Sequence, residues 1–395
     1  MIPYGKQHID DEDIKAVVET LKSDWLTQGP TVPMFEQAMS EYCGAKYAVA
    51  VNSATSALHL ACLALSVGEG DRVWTSPNSF VASSNCALYC NAIVDFVDID
   101  IETGNMCITA LESKLRKAKK TNTLPKVVIP VHFAGQSCDM ESIATLASHY
   151  GFRVIEDASH AVGAKYKSSF VGNCQYSDIC VFSFHPVKII TTMEGGMAMT
   201  NDPALAESMR MGRSHGVTNA KELMTEPSHG PWYYQQVSLG YNYRMNDIEG
   251  ALGVSQVKKL SVFIEKRNAL AKKYDELIKS YPRICPLMVS DQSYSSYHLY
   301  VVRIFDMSQG QKKTLIERLR NAGIFAHLHY IPIHTQPYYQ ALGFNAGDFP
   351  NTEQYYQQAI TLPIFPDLAS SQIEFLKYIF RSLIFISKKV KHPLK

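Results

Sequence analysis

The sequence predicts an α/β fold: a large domain built on a mostly parallel sheet with helices on both faces, followed by a smaller α+β domain. Three observations carry this expectation. Through the first ~250 residues, short apolar runs alternate with stretches of helical periodicity. The runs are mostly apolar, which is the pattern of strands covered on both faces. From about Asp247 the alternation gives way to sustained helical periodicity, which puts residues 1–250, N-terminal segment included, in the large domain and 251–395 in the small one. A length of 395 residues, at about 150 per domain, accommodates two to three domains.

Taken in order, Val49–Val51 is the first strand and leads into a helix from Thr55 to Leu65. Arg72–Thr75 is a strand closed by Ser76-Pro77, and Ala92–Val97 another closed by Asp98. Val127–Val131, Phe152–Asp157, Ile179–Phe184 and Met197–Thr200 continue the series. One long helix is expected from Asp247 through the 260s and 270s, on the spacing of Ile248, Leu252, Val257, Leu260, Ile264, Leu270, Tyr274 and Leu277. Tyr297–Ile304 then reads as a strand and Lys312–Asn321 as a helix; Lys388–Lys395 is a basic, solvated tail.

Composition removes several classes of function. Lys plus Arg is 38 against 37 Asp plus Glu, a net charge of +1, so no electrostatic footprint for nucleic acid or an anionic membrane exists. Apolar residues make up 46%, enough to exclude global disorder. Uninterrupted apolar stretches such as Leu60–Leu65 fall far short of the ~18 residues that span a bilayer, and Met1–Lys6 carries no signal-peptide core. A cytoplasmic protein is expected. Nine cysteines with no C-x-x-C pair suit a reducing compartment; Cys86 and Cys90, four apart, read better as small buried hydrophobes than as a metal pair. The 13 histidines form no H-x-x-x-H set, and no metal is expected.

Polar residues cluster just past the strands, where ligands of such sheets bind. Lys188 follows Ser183-Phe184-His185-Pro186-Val187 and precedes Glu194-Gly195-Gly196. A lysine there is ordinarily a surface residue; partly desolvated, it can capture an aldehyde as a Schiff base while Ser183 holds a phosphate. The paired glycines would let the next strand approach closely. Asp157, ending its strand, is either a helix cap or the partner of a ligand cation such as a pyridinium. Asn52-Ser53-Ala54-Thr55-Ser56 opens a helix, so its hydroxyls either cap it or, with the bare N–H groups, hold a phosphate. Phe80, in Ser76-Pro77-Asn78-Ser79-Phe80, is a core residue or an aromatic stacked on a flat ring. Asn242 and Arg244, in Gly240–Asn246, cap the following helix or reach a ligand.

These segments, with Pro130–Gln136, Trp25–Pro30 and Leu362–Pro366, together resemble the DegT-type nucleotide-sugar aminotransferases over nearly the whole chain. The opening Ile2–Gln7, with Leu21–Pro30 and Val51–Ala61, is most similar to the branch of that family that works in pseudaminic acid biosynthesis. The resemblance implies the type I fold of pyridoxal-phosphate transferases, pyridoxal 5′-phosphate as cofactor, and a homodimer with shared active sites. It implies that Lys188 is the Schiff-base lysine and proton shuttle, that Asp157 pairs with the pyridine nitrogen and that Phe80 stacks on the ring. Thr55, Ser183 and the backbone at Ala54 would hold the phosphate, with Asn242 reaching it from the other subunit. Many family members have glycine where Ala54 stands, so the turn must accommodate a Cβ. His160 and Gln136 would lie close to the cofactor or sugar, and Tyr4, Lys6, His185 and Tyr330 would contact the sugar nucleotide.

The implied reaction moves an amino group from L-glutamate to the C4 ketone of a UDP-linked 4-keto-6-deoxy-N-acetyl sugar. A sugar dehydratase of the same family has histidine in place of the lysine, which Lys188 argues against. Transamination of another nucleotide-linked sugar remains a rival, and a non-catalytic regulator is disfavoured by the intact lysine, aspartate and phosphate set. No G-x-G-x-x-G follows a strand, against a nicotinamide-dependent oxidoreductase.

Overall fold

The computed structural model describes residues 1–386; the expected basic tail lies outside them. Each anticipated apolar run of the first domain becomes a strand, with ends within two residues of the expected ones: β1 (Tyr47–Val51), β2 (Arg72–Thr75), β3 (Ile93–Phe96), β4 (Val127–Ile129), β5 (Arg153–Asp157) and, after a small hairpin of β6 (Lys165–Tyr166) and β7 (Ser169–Phe170), β8 (Ile179–Ser183) and β9 (Gly196–Thr200). Their order is β1-β9-β8-β5-β4-β2-β3. Only β9 runs against its neighbours; the pairs from β8 to β3 are parallel.

Helices cover both faces: α1 (Asp11–Leu21), α2 (Thr31–Cys43), α3 (Ala54–Ala64), α4 (Ala82–Tyr89), α5 (Ile108–Thr121), α6 (Met140–Tyr150) and α7 (Pro203–Arg213). Successive strand residues point to opposite faces. Val49, Val51, Ile179 and Val181 accordingly pack with Leu58, Cys62, Cys86 and Met209 of α3, α4 and α7. Ala48, Ala50, Cys180 and Phe182 pack on the other side with Phe35 and Met39 of α2.

The long helix expected from Asp247 is instead two helices, α8 (Asp247–Val257) and α9 (Leu260–Ile278). At the break the Lys259 N–H bonds the Gln256 carbonyl, three residues back, and the Lys259 ammonium pairs with Asp10 and with Asp13 at 3.0 Å. No Gly or Pro marks the spot; a tertiary ion pair does. Beyond it, β10 (Val217–Thr218) and β11 (Gln235–Gln236) having formed an arm earlier in the chain, β12 (Ile284–Pro286), β14 (Tyr300–Ile304) and β15 (Ala359–Leu362) make an antiparallel sheet, and β13 (Ser293–Tyr294) joins β6. Helices α10 (Gln309–Asn321), α11 (Pro337–Ala341), α12 (Pro350–Gln358) and α13 (Ser370–Ile386) complete the chain.

The strand expected from Tyr297 begins only at Tyr300, because the Ser296 and Leu299 N–H groups are taken by the carbonyls of Gly135 and Ala134. The N-terminal segment, expected with the first domain, joins the second core: Ile2 is buried among Leu270, Tyr274, Val302 and Ile360, exchanging backbone bonds with Gly323 and Phe325. Among the described residues no helix is long and apolar enough to cross a membrane. All nine cysteines are free, and only Cys107 and Cys285 are not fully buried.

Candidate active site

The site forms at the carboxyl ends of β5 and β8. Asp157 ends β5 and is 4% exposed. Its Oδ2 accepts from Ser83 Oγ at 2.5 Å and its Oδ1 from the Ser159 N–H at 3.1 Å. Beneath it, fully buried His132 accepts the Cys138 N–H on Nδ1 at 3.1 Å and gives Nε2–H to Glu156 at 2.6 Å, which anchors the strand end. Lys188 stands five residues past β8. It keeps part of its surface open, yet the dense protein around the ammonium pushes its pKa down to about 8, against the charge of Asp157, which raises it. Burial therefore gives this lysine a usable fraction of free amine near neutral pH.

Ser183 ends β8 and pairs with Gly196. A Cβ on Gly196 would lie 2.4 Å from Ala54 N and Ser53 C, so the absence of a side chain lets β9 press the start of α3 against the end of β8. At that start, Ser53 is the N-cap, accepting from the Ser56 N–H at 3.1 Å. Thr55 is half-buried and has no capping duty. The two readings of this turn thus divide between neighbouring residues: Ser53 caps and Thr55 is left for a ligand beside the positive end of the helix. Ala54 takes the first helical position without a positive φ.

Phe80 is not core: it is 60% exposed, its ring 6.4 Å from that of Tyr330. His160 is buried and bonds Tyr330 Oη through Nε2 at 3.0 Å. Burial, then the charges of Lys188 and His329, keep His160 neutral. Tyr4 lies against the rings of His327 and His329, at 5.3 and 5.0 Å. Lys6 and His185 are exposed, as is Asn242, whose carbonyl faces Asn52 Nδ2 at 3.4 Å. Both ends of the Gln136 amide, expected near cofactor or sugar, are taken within the protein: it donates to the Met288 carbonyl at 2.9 Å and accepts from the Ser290 N–H at 2.6 Å.

Sequence reasoning missed Ser83, His298 and His329. His298 is buried with its ring 4.4 Å from His160, and His329, its pKa lowered to about 3 by burial, then by His327 and Lys188, bonds Thr361. No local motif marks them; each matters only because a distant segment folds against it.

A part-free lysine amine opposed to a buried carboxylate, at the carboxyl ends of a mostly parallel sheet and beside an open helix N-terminus, defines an enzyme that works on carbonyl compounds through an amine. Residues 7–379 match the DegT/DnrJ/EryC1/StrS aminotransferase family, and the chain belongs to that family. It is 39% identical over 391 residues, 99% of either chain, to the UDP-4-amino-4,6-dideoxy-N-acetyl-beta-L-altrosamine transaminase of Campylobacter jejuni, and 38% identical over 94% of each chain to the spore coat polysaccharide biosynthesis protein SpsC of Bacillus subtilis. Helicobacter pylori PseC, an aminotransferase of pseudaminic acid biosynthesis, superposes with a TM-score of 0.89 at 35% identity, covering 98% of this chain and 99% of that one. The PLP-form of Spr1654 from Streptococcus pneumoniae does so at 0.87 and 28%, covering 97% and 98%.

The protein is an aminotransferase whose cofactor is pyridoxal 5′-phosphate. The residues present fit that group: an amine lowered in pKa for the aldehyde, an anion for the ring nitrogen, an uncommitted Thr55 at a helix N-terminus for the phosphate, and an exposed aromatic at the rim.

Proposed function

We propose that the chain transfers the amino group of L-glutamate to the C4 ketone of a UDP-linked 4-keto-6-deoxy-N-acetyl sugar, forming UDP-4-amino-4,6-dideoxy-N-acetyl-β-L-altrosamine for pseudaminic acid biosynthesis in the cytoplasm. The lysine of lowered pKa facing Asp157 carries the transamination, and the choice of sugar rests on the full-length likeness to the C. jejuni transaminase.

When bound, the cofactor supplies an electron sink for the bond being broken. Asp157, held by Ser83 and the Ser159 N–H, would pair with the ring nitrogen. Thr55, Ser183 and the Ala54 N–H would hold the phosphate, and Phe80 would lie against the ring. Lys188 Nζ takes the proton from Cα of glutamate and, in the second half-reaction, delivers one to C4 of the sugar; a pKa of about 8 suits both directions near neutrality. Tyr4, Lys6 and His185 line the approach for the sugar nucleotide. The working unit is a homodimer in which Asn242 reaches the phosphate of the other subunit; exposed Trp232, Tyr234 and Leu239 (75, 63 and 80%) on the arm around β11 support a partner there.

The test is to incubate the protein with pyridoxal phosphate, glutamate and the UDP-linked L-arabino 4-ketose or its D-xylo epimer, and to identify the product by NMR. The expected product is the 4-amino sugar from the L-arabino ketose, absent with Lys188→Ala. Preference for the D-xylo epimer would keep the transamination and overturn the choice of sugar.

A further inference from the structure

His160, His298 and Tyr330 come from three separate segments and meet beside Lys188, and their hydrogen bonds determine where one proton must point. The turn at Ala134 (φ 58°) and Gly135 (φ 104°) directs the Ala134 N–H at His160 Nδ1, 3.3 Å away. A backbone N–H can only donate, so Nδ1 is the acceptor and the neutral ring carries its proton on Nε2. His298, 4.4 Å away, and Phe133, 6.0 Å away, hold the ring in that orientation. Nε2–H faces Tyr330 Oη at 3.0 Å, so that oxygen accepts and its own hydrogen is free to donate elsewhere.

Among the described residues His160 is the sole hydrogen-bond partner of the Tyr330 hydroxyl. Burial keeps the phenol protonated, and the charge of Asp157, which reaches it, acts in the same direction. Asp157 already receives Ser83 and the Ser159 N–H, and it makes no bond to Tyr330. The hydroxyl is thus a committed donor at the Lys188–Asp157 site with no acceptor among the described residues.

We propose that Tyr330 donates this hydrogen bond to the C4 oxygen of the keto sugar, and that His160 is the positioning residue that fixes its direction. The assignment rests on the reading that a 4-keto sugar is the amino acceptor. As an amine adds to C4, the π pair of the C–O bond moves onto oxygen; Tyr330 keeps its proton and stabilises the growing charge. Glutamate brings no oxygen on its reacting carbon, and the carbonyl oxygen of 2-oxoglutarate arrives from water only after the Cα proton has been removed, so the loss of this donor is read in the sugar half-reaction against the proton-removal phase of the glutamate half.

The test follows the two half-reactions of the holoenzyme separately by stopped-flow absorbance. Tyr330→Phe should slow the sugar half-reaction about 10²-fold, through its maximal rate more than through the half-saturating sugar concentration, which is the usual loss for one such donor. The proton-removal phase of the glutamate half-reaction should change by no more than about threefold. His160→Gln retains an acceptor for the Ala134 N–H and a donor for Tyr330, so the ratio of the two rates should stay near that of the wild type; His160→Leu removes both and should reproduce the Tyr330→Phe ratio. Thermal unfolding of each variant separates misfolding from chemistry. Equal slowing of both halves, or no slowing, overturns the role of Tyr330. A wild-type protein that aminates no 4-keto sugar overturns the proposed substrate first, and this role with it.

Discussion

Replacing Gly196 by Ala tests whether the close approach of β9 to α3 builds the phosphate turn. The added methyl carbon would stand 2.4 Å from Ala54 N and Ser53 C, and 2.5 Å from Ser53 O. Unstrained contacts between such atoms begin near ~3.5 Å, so strand and helix must separate by about 1 Å. All three atoms are backbone, so no side chain can swing aside, and overpacking of this kind costs about 1–3 kcal/mol. The separation moves the Ala54 N–H and Thr55, which are proposed to hold the phosphate. If the whole cost falls on the bound state, cofactor affinity drops about five- to hundredfold, at about 1.4 kcal/mol per tenfold. The assay is absorbance titration of apo protein with pyridoxal phosphate, accompanied by thermal unfolding. Gly68→Ala, where a Cβ meets nothing within 4 Å, is the control and should alter neither. Unchanged affinity together with an unchanged unfolding temperature in Gly196→Ala would refute the reasoning.

Capture of the cofactor by apo protein requires the free amine of Lys188, so its rate should rise about tenfold per pH unit below about pH 8 and level off above it. The Asp157 charge raises that pKa, and Asp157→Asn should therefore move the plateau to lower pH; levelling only near the ordinary lysine value of 10.5 would contradict the burial argument. His132→Leu strips the buried Glu156 carboxylate of one of its two donors, Ser177 Oγ being the other, and the Cys138 N–H of its acceptor, and should destabilise the protein by about 2–4 kcal/mol in denaturant unfolding, whereas a loss below about 1 kcal/mol would mean that the pair does not anchor the strand end.

The strands could be read from the sequence because each is a short, mostly apolar run closed by a polar or helix-breaking residue, as Ile179–Ser183 and Val127–Ile129 illustrate. Lys188 and Asp157 stood out for a related reason: ligands of such sheets bind beyond the carboxyl ends of the strands, and both residues lie there. Thr55 was half legible. Sequence marks the helix start, but Ser53 and Thr55 are equivalent there until the hydrogen bond from Ser56 assigns the cap.

What the sequence alone determined is therefore the large sheet and the place of Asp157 at the end of one of its strands and Lys188 just past another, since these follow from local polarity and period. Only the tertiary structure decided the rest. The helix break at Lys258–Lys259 depends on an ion pair with residues some 250 positions earlier, and the entry of Ile2 into the second core on pairing with Gly323 and Phe325. Ser83 acquires a role when α4 carries it to Asp157, and the proton of Tyr330 is directed by His160 only because the Ala134 turn selects the tautomer. Periodicity reports which residues are buried; it does not report which buried polar atoms meet, because hydrogen bonds and ion pairs are settled by distances between segments remote in the chain.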